Sequence, residues 1–281
     1  MTVKVPTIDA AGVAMPAIGL GTWDLRGAEC AKVVGEAIDL GYRHIDTAAM
    51  YGNEREVGEG IRASGVTRGE LFVTTKVWPD NLGPKDLLAS AGTSLDKLGL
   101  AFVDLFLIHW PSPTIPLAQS IDALCEVKRR GWARAIGVAN FTVAMIDEAT
   151  ARAVEPLACN QVEYHPYLSQ KRVLEACRRH GMALTAYCPI ARGAVSDDPV
   201  LKEIAARHGR TPSQVALRWL IQQPGVAAIP KTARRERLIE NLEAAEFSLT
   251  DAEMARISGL ARPDGRLIDE AGLSPVWDAA E

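Results

Sequence analysis

The sequence lacks the cysteine patterns that mark disulfide-rich or metal-binding proteins. Its 281 residues contain five cysteines, which are widely scattered and form no C-x-x-C pair. Four of the histidines share no spacing with cysteines or carboxylates that would form a metal site. These are His44, His165, His180 and His208. We therefore predict a reducing compartment and no bound metal.

Long apolar runs and an excess of positive charge are also missing. The apolar stretch at residues 103–110 is interrupted by Asp104 and is too short to span a bilayer. The first ten residues contain no charged segment followed by an apolar one, so we expect no signal peptide. The formal net charge of −4 gives no electrostatic footprint for nucleic acid or an anionic membrane. We predict a cytoplasmic protein with neither of these partners.

No linker rich in proline, glycine or serine divides the chain, which predicts a single domain over residues 1–281. Short β-branched or aromatic runs alternate with amphipathic stretches, a pattern typical of βαβ units around a parallel sheet. Eight strand candidates follow this pattern, and several are almost entirely apolar, as strands covered on both faces should be. They are residues 17–20, 44–47, 71–77, 103–109, 135–139, 160–163, 184–187 and 227–230. The sequence therefore predicts an α/β fold, a (β/α)8 barrel.

Several element boundaries can be located in the sequence. Gly41 is a predicted stop for the first helix, and residues 211–214 and 250–253 have the composition of capping boxes at helix starts. Residues 3–14 alternate around a turn at 9–12, which predicts an N-terminal β-hairpin that plugs one end of the barrel. After the last strand we expect a further helix or two and an irregular tail.

Polar residues at the ends of the predicted strands are the candidates for chemistry, because barrel enzymes place their active sites at the carboxyl ends of the strands. Asp46 and Lys76 lie in apolar strands, where an unpaired charge would cost several kcal/mol, so we expect them to pair. This pair alone leaves a structural role at the barrel rim open. Tyr51 and His109 favour a catalytic role, because carbonyl reduction needs a proton donor and a group that fixes the oxygen.

The four residue types suit distinct roles in such a reaction. A phenol with an ordinary pKa of about 10 donates its proton slowly at neutral pH. We expect the Lys76 ammonium to lower the pKa of Tyr51, while Asp46 keeps the lysine charged and oriented. His109 could donate from one ring nitrogen to the carbonyl oxygen.

Five segments occur in an order that is informative as a set. They are Gly19-Leu20-Gly21-Thr22-Trp23, Asp46-Thr47-Ala48-Ala49-Met50-Tyr51-Gly52-Asn53-Glu54, Thr75-Lys76-Val77-Trp78, Leu107-Ile108-His109-Trp110 and Ile229-Pro230-Lys231-Thr232. The sequence resembles the aldo-keto reductase family from about Gly19 to the C-terminus. The resemblance implies a barrel that reduces carbonyl groups with NADPH, through a catalytic tetrad of Asp46, Tyr51, Lys76 and His109.

A subgroup resemblance lies in the short chain and in the final segment, residues 272–278. Both are similar to bacterial 2,5-diketo-D-gluconate reductases, which also reduce methylglyoxal and other small aldehydes and ketones. The resemblance therefore implies a small carbonyl compound as substrate. It also implies a monomer, which is typical of the family.

A Rossmann-type cofactor site is excluded, because Asp24 occupies the third glycine position of the fingerprint and no acidic residue follows in the required context. The resemblance instead implies that NADPH lies across the barrel mouth, with Asn140 and Gln161 at the carboxamide and Tyr187 stacked on the nicotinamide. Ala139 and Cys188 stand where the family usually has serine. The implied contacts along this part of the cofactor are Gly21, Thr22, Trp23, Asp46, Asn140, Gln161, Tyr187, Cys188, Ile190 and Arg192.

Residues 231–237 place several cations in the first turns of a predicted helix that continues to Asn241, where they oppose the helix dipole. A helix start with nearby Lys and Arg is a ready phosphate site, although a solvated basic surface is the alternative. The resemblance assigns Lys231, Thr232 and Arg237 to the 2′-phosphate and adenine. It assigns Glu240 and Asn241 to the adenine edge.

Four tryptophans are predicted to line the substrate pocket together with Tyr51 and His109. Trp23, Trp78 and Trp110 directly follow predicted strands, and Trp277 lies in an apolar tail segment, residues 273–277. The loop at residues 111–115 is too short to cover the site, so we expect the tail to close it, with turns or hinges at 264–265 and 272. The alternative is that Trp277 only anchors the chain end.

Two other functions remain open at this level. Barrels of this type also serve as cofactor-binding regulatory subunits in which turnover is incidental. A lyase would use Lys76 as a Schiff-base nucleophile. The complete tetrad argues for the reductase.

Overall fold

The computed structural model describes residues 3–279 of the chain, so the first two and last two positions of the predicted domain lie outside the described residues. An antiparallel hairpin comes first, followed by eight strands that form one parallel sheet in sequence order. The hairpin strands are β1 (Thr7–Ala10) and β2 (Val13–Pro16). The parallel strands are β3 (Leu20–Gly21), β4 (His44–Asp46), β5 (Phe72–Val77), β6 (Val103–Ile108), β7 (Ala133–Ala139), β8 (Leu157–Glu163), β9 (Ala183–Tyr187) and β10 (Val226–Ala228).

The sheet closes into the predicted barrel between its first and last strands. The amide of Gly19 donates to the carbonyl of Ala228 at 2.9 Å, and the amide of Ala228 donates to the carbonyl of Ala17 at 2.8 Å. Residues 17–19 therefore pair with β10, and pairing with β4 begins only at Leu20. The first parallel strand is therefore Leu20–Gly21, and the predicted bounds of 17–20 are wrong.

Other strand bounds also differ from the prediction. β7 begins at Ala133 rather than at residue 135, because Arg134 continues the strand while its side chain turns outward to Asp104. β8 and β9 likewise start earlier than predicted, at Leu157 and Ala183. β10 ends before Pro230, which has no amide hydrogen to donate to a sheet.

Helices cover the outside of the sheet and follow the predicted alternation. They are α1 (Gly27–Leu40), α2 (Glu54–Ala63), α3 (Pro84–Leu98), α4 (Leu117–Arg129), α5 (Val143–Arg152), α6 (Lys171–Arg179), α7 (Pro199–His208), α8 (Pro212–Ile221), α9 (Arg235–Glu243) and α10 (Asp251–Ser258). The predicted stop at Gly41 is confirmed by its left-handed backbone, with φ of 110°. The capping boxes at Thr211 and Thr250 are confirmed.

The hairpin seals one end of the barrel, as predicted. Ala10 and Met15 are fully buried and pack in one apolar cluster with barrel-interior residues such as Leu105, Leu107 and Ala227. The amino-terminal end of the barrel is therefore filled with apolar side chains.

Within residues 3–279 no helix is both long enough and apolar enough to cross a membrane. The same residues contain no group of three or more His, Cys, Asp or Glu side chains that could hold a metal ion.

Candidate active site

The four residues of the predicted tetrad meet at the carboxyl ends of neighbouring strands. Asp46 ends β4, Lys76 is next to last in β5, and His109 directly follows β6. Tyr51 ends a short 3-10 turn after β4. Because adjacent parallel strands end at the same edge, three separate sequence motifs converge on one point.

Lys76 is fully buried and is the centre of the site. Its ammonium nitrogen lies 2.5 Å from Asp46 Oδ1, 2.9 Å from the Thr47 carbonyl oxygen and 3.4 Å from the Tyr51 hydroxyl. The charge is thus compensated by Asp46 and directed at the phenol. This is the pairing expected from two ionisable residues in apolar strands.

The surroundings of Lys76 keep it protonated. Burial by itself lowers the pKa of its ammonium group, but the nearby Asp46 and Tyr51 oxygens outweigh this and raise the pKa above its usual value. A Schiff-base lysine needs the opposite shift, because only the neutral amine attacks a carbonyl. The lyase alternative therefore has no support in this geometry.

Lys76 lowers the pKa of Tyr51, as predicted, but the net pKa is raised above its usual value. Burial of the phenol raises its pKa by more than the Lys76 ammonium lowers it, and Asp46 adds to the increase. The reason is that Asp46 neutralises much of the lysine field, while desolvation penalises the phenolate. Tyr51 is consequently a protonated donor at neutral pH.

His109 is held neutral beside Tyr51. Burial, and then the Lys76 charge, lower its pKa well below the usual value. Its ring centre is 5.6 Å from that of Tyr51 and 5.3 Å from that of Trp78. A neutral imidazole at this distance can donate one hydrogen bond to an oxygen placed between the two rings.

Asn53 is a residue of this site that sequence reasoning missed, although it lies in a quoted motif. Its amide nitrogen donates to the carbonyls of Thr22 at 2.8 Å and Leu25 at 3.1 Å, and its amide oxygen accepts from the Thr47 hydroxyl at 2.8 Å. Asn53 therefore joins the loops after β3 and β4 and fixes the turn that carries Tyr51. A polar residue directly before a helix was the available signal.

Three residues predicted to bind a cofactor are connected to the tetrad by hydrogen bonds. The Gln161 side-chain amide donates to Asp46 Oδ2 at 2.8 Å. Asn140 donates to the His109 carbonyl at 2.9 Å and accepts from the Tyr187 hydroxyl at 2.8 Å. The half-buried Tyr187 ring therefore forms one side of the barrel mouth, held to the loop that follows β6.

Gly21 and Thr22 lie in the same mouth but are used within the protein. The Thr22 hydroxyl donates to the Asp46 carbonyl at 3.0 Å, so it fixes the strand end rather than pointing outward. A Cβ at Gly21 would lie 2.7 Å from the Ile229 carbonyl oxygen. Glycine is needed here because the backbones on the two sides of the barrel closure approach closely.

The loop after β9 has an unusual backbone. Cys188, Ala191 and Arg192 all have positive φ angles, of 53°, 47° and 53°. The Ala191 amide donates to the Cys188 carbonyl at 2.9 Å and the Gly193 amide to the Ile190 carbonyl at 2.8 Å, so the loop is a tight turn. Ile190 is half-buried and Arg192 is exposed, so this loop offers a cation at the surface.

The basic cluster lies around the start of α9, although Lys231 and Thr232 precede the helix instead of lying in its first turns. Lys231 is exposed, and Arg237 lies 3.4 Å from Glu240. No described side chain caps the helix start. Asn241, predicted at the adenine edge, is 95% buried, with only 5% of its surface exposed. The free helix start and its cations can hold a phosphate group.

The predicted pocket tryptophans fall into two pairs. The half-exposed Trp23 lies edge-on to Tyr51 with ring centres 5.0 Å apart, and Trp78 lies against His109. Trp110 and Trp277 form an edge-on pair at 6.1 Å. The expected apolar tail cluster is only partly formed, because Val276 points into solvent and is 97% exposed.

Comparison with known proteins places this geometry in a family. The sequence profile of the aldo/keto reductase family matches residues 17–262. The chain is 42% identical to the methylglyoxal reductase DkgB of Escherichia coli O157:H7 over 269 residues, which cover 95% of this chain and 100% of that protein. It is also 42% identical to a glyoxal reductase of Bacillus subtilis (strain 168), with 90% of this chain and 91% of that protein covered.

Solved structures give the same result. A crystal structure described as a candidate 2,5-diketo-D-gluconic acid reductase B superposes with a TM-score of 0.97 at 48% identity, covering 99% of both chains. A Bombyx mori aldo-keto reductase in complex with NADP superposes with a TM-score of 0.89 at 33% identity, covering 96% of both chains. This chain is an oxidoreductase that belongs to the aldo/keto reductase family.

Proposed function

We propose that this protein reduces small aldehydes and ketones to alcohols with NADPH, with Tyr51 as the proton donor. The observation that carries the proposal is the Tyr51 hydroxyl, which lies 3.4 Å from a fully buried Lys76 ammonium and is flanked by the rings of Trp23 and His109. A phenol is placed where a carbonyl oxygen could receive its proton. The named activities of the related reductases support this choice.

The donor set around the barrel mouth fits NADPH. Bound there, NADPH would supply the hydride that adds to the carbonyl carbon of the substrate. Tyr187 offers a half-buried aromatic face, and Asn140 and Gln161 offer amide groups for the carboxamide. The left-handed loop beginning at Cys188, together with Ile190 and Arg192, suits the pyrophosphate.

The basic segment at the start of α9 suits the other end of the cofactor. Lys231, Thr232 and Arg237 would contact the 2′-phosphate, and Glu240 and Asn241 the adenine. Arg237 would have to exchange its contact with Glu240, at 3.4 Å, for one with the phosphate. This exchange is feasible because the Arg237 side chain is 42% exposed.

The protein's own residues divide the remaining chemistry. The neutral His109 donates a hydrogen bond to the substrate oxygen and sets the face of the carbonyl that is attacked. As the carbonyl carbon gains a hydride, the Tyr51 O–H bond breaks and its proton moves to the oxygen, which completes the alcohol. Lys76, held by Asp46, stabilises the phenolate that remains.

Methylglyoxal and 2,5-diketo-D-gluconate are the substrates we propose by similarity to the named relatives. Trp23, Trp78, Trp110 and Trp277 would form the walls of the pocket around Tyr51 and His109. Four aromatic walls favour compact substrates whose carbonyl can reach the phenol.

We also propose that the protein is a single-domain, cytoplasmic monomer that does not bind nucleic acid. The acidic net charge of −4 and the free cysteines are consistent with this, and four of the five cysteines are buried. Size-exclusion chromatography with light scattering should give a mass near 30.3 kDa. A stable mass of twice this value would contradict the monomer.

The decisive experiment measures NADPH oxidation with methylglyoxal by the wild type and by Tyr51→Phe. We expect kcat/KM to fall at least about 100-fold, because the proton donor is lost while the ring is kept. The Kd for NADPH should stay within about twofold of wild type, since no implied cofactor contact uses the hydroxyl. More than a tenth of wild-type turnover in Tyr51→Phe would contradict the assignment.

Two further variants test whether the tetrad acts as a unit. Lys76→Met and Asp46→Asn should each lower kcat strongly, and neither should add its full effect to that of Tyr51→Phe. A wild type that binds NADPH but turns over no aldehyde would instead favour a cofactor-binding regulatory protein.

A further inference from the structure

Glu163 is a buried carboxylate at the end of β8 that has no role in the proposed chemistry. It is fully buried, and it lies two residues after Gln161, so both side chains point to the same side of the strand at the barrel mouth. A buried charge of this kind costs several kcal/mol unless hydrogen bonds compensate it. The partners of Glu163 therefore indicate what it is for.

Two of those partners lie in the C-terminal tail, more than 100 residues away in the sequence. Glu163 Oε1 accepts from the Leu267 amide at 2.7 Å, and Oε2 accepts from the Ile268 amide at 2.9 Å. His165, also fully buried, contacts Oε1 through Nε2 at 2.8 Å. Hydrogen bonds from two consecutive amides to one carboxylate fix both the position and the direction of the tail backbone.

Arg266 directly precedes the two amides that clamp Glu163, and it contacts Trp277, the predicted pocket wall. The Arg266 guanidinium lies 3.6 Å from the centre of the Trp277 ring, and one of its nitrogens lies 3.9 Å from Glu163 Oε2. The Trp277 ring meets Trp110 edge-on, and its indole nitrogen donates to Asp269 at 3.0 Å. Contacts therefore run from Glu163 through Arg266 to Trp277. Trp277 in turn contacts Trp110, the residue directly after His109.

Contacts on both sides of this set hold the tail in one path. A Cβ at Gly265 would lie 1.8 Å from the Tyr167 carbonyl oxygen, so the predicted hinge is a point of close backbone contact. At the far end, the Asp278 carboxylate accepts from the Val143 amide at the start of α5, at 2.9 Å. The position of Trp277 is therefore set by fixed contacts before and after it.

We infer that Glu163 is a positioning residue for substrate selection, which places Trp277 as the outer wall of the pocket by clamping the tail backbone next to Arg266. The inference rests on the proposed reductase site. The Arg266 charge is balanced by Glu163 and by Asp269 and Asp278 in the tail, so the wall presents an aromatic face rather than a free cation. It favours carbonyl compounds that place an apolar group against Trp277.

The test compares Glu163→Gln with Asp264→Asn, a matched control in the same tail whose carboxylate is 84% exposed and paired with Arg262. Benzaldehyde serves as the substrate that reaches the wall and methylglyoxal as one that does not. Glu163→Gln should raise KM for benzaldehyde about fivefold or more, the size of one lost aromatic contact, with methylglyoxal changed by less than about twofold. Asp264→Asn should change neither KM.

A double variant separates positioning from general damage. Trp277→Ala should reproduce the benzaldehyde effect, and Glu163→Gln combined with Trp277→Ala should be no worse than Trp277→Ala alone, because both act on one wall. Additive losses, or equal losses for both aldehydes and for NADPH affinity, would overturn the inference. If Glu163→Gln does not fold, Arg266→Lys should show a smaller shift in the same direction, because it keeps the charge and loses the planar contact.

Hydrogen exchange provides a measurement that does not depend on catalysis. The Leu267 and Ile268 amides should exchange faster in Glu163→Gln than in the wild type and stay protected in Asp264→Asn. Unchanged protection in Glu163→Gln would show that the clamp is not needed and would overturn the inference. Faster exchange in a protein that reduces neither aldehyde would instead count against the proposed function alone.

Discussion

The two ends of the barrel each contain a buried aspartate, and the comparison shows how a charge in the proposed active site differs from a structural one. At the carboxyl end of the strands, Asp46 faces Lys76, which is itself fully buried. At the opposite end, Asp104 accepts from the Val73 amide and from Arg68 and Arg134. The two arginine side chains are 22% and 46% exposed.

The difference lies in the partners rather than in the aspartates. The charge of Asp104 is compensated by two arginine side chains that reach solvent and by the Val73 amide. Lys76 has no access to solvent, and its charge is directed at a phenol that can release a proton. The buried Asp46 therefore supports the proposed active site, because its lysine partner faces a group that can take part in proton transfer.

The largest expected effect is the pH dependence of the two reaction directions at the carboxyl end. Since burial raises the pKa of Tyr51, the phenol stays protonated and kcat/KM for reduction should be constant from about pH 6 to 9. Alcohol oxidation needs the phenolate and should rise about tenfold per pH unit over the same range. A reduction rate that falls with a midpoint near neutral pH would mean that the lysine field exceeds the effect of burial.

The pKa of His109 determines what we expect in the acidic part of the same pH profile. Its pKa is lowered by burial and by Lys76, so protonation should not affect reduction above about pH 6. If kcat/KM fell toward acidic pH in the wild type but not in His109→Asn, His109 would be gaining a proton in that range, which would contradict a neutral ring.

The next largest effect is expected at the closed end, on stability alone. Asp104→Ala removes one partner of a buried ion network and should lower the free energy of unfolding by about 3 kcal/mol, measured by urea denaturation. The kcat of the folded variant should equal that of the wild type, because Asp104 lies at the end of the barrel away from Tyr51. Asp122→Ala, which breaks the exposed pair with Arg152, is the control and should leave the urea midpoint unchanged. A loss of kcat in Asp104→Ala would show that the two ends are coupled.

A smaller effect tests the cofactor end of the mouth. Lys231→Met and Arg237→Met should each raise the Kd for NADPH about tenfold and leave NADH binding little changed, because charge-assisted contacts contribute roughly 1.5–3 kcal/mol each. Lys202→Met, an exposed lysine paired with Asp197, serves as the control. Equal losses for both cofactors would mean that the cluster is a structural part of the helix start.

The sequence contained enough information for the fold but not for its closure. Alternating apolar runs predicted eight strands and their helices, because burial on both faces imposes that composition locally. The pairing of residues 17–19 with β10 depends on chain segments more than 200 residues apart, so no local pattern located the first strand correctly.

The same limit applies to the site. Asp46 and Lys76 could be identified from the sequence, because a charge in an apolar strand is costly in any fold. Glu163 could not be identified in this way. Its burial is compensated by two backbone amides 104 and 105 residues away, and backbone amides have no signature in a sequence. The sequence indicates that Lys76 lowers the pKa of Tyr51, but not that burial outweighs it, because that balance depends on distances and on the degree of burial.

The smallest effect is expected in the hairpin that closes the barrel. Its turn is Ala11 and Gly12, with φ angles of 52° and 85°, and alanine is strained in this left-handed conformation. Ala11→Asn would place Asn-Gly, the preferred pair for a tight hairpin turn, and should raise the free energy of unfolding by about 0.5–1 kcal/mol. Gly12→Ala is the opposite control: no atom lies within 4 Å of the added Cβ, so its cost of about 1 kcal/mol would be backbone strain alone. Both variants should keep the wild-type kcat and KM, since the hairpin packs at the end of the barrel opposite the proposed active site. If Ala11→Asn changed KM instead of the urea midpoint, the hairpin would influence the carboxyl end, and the separation between a stabilising end and a catalytic end would not hold.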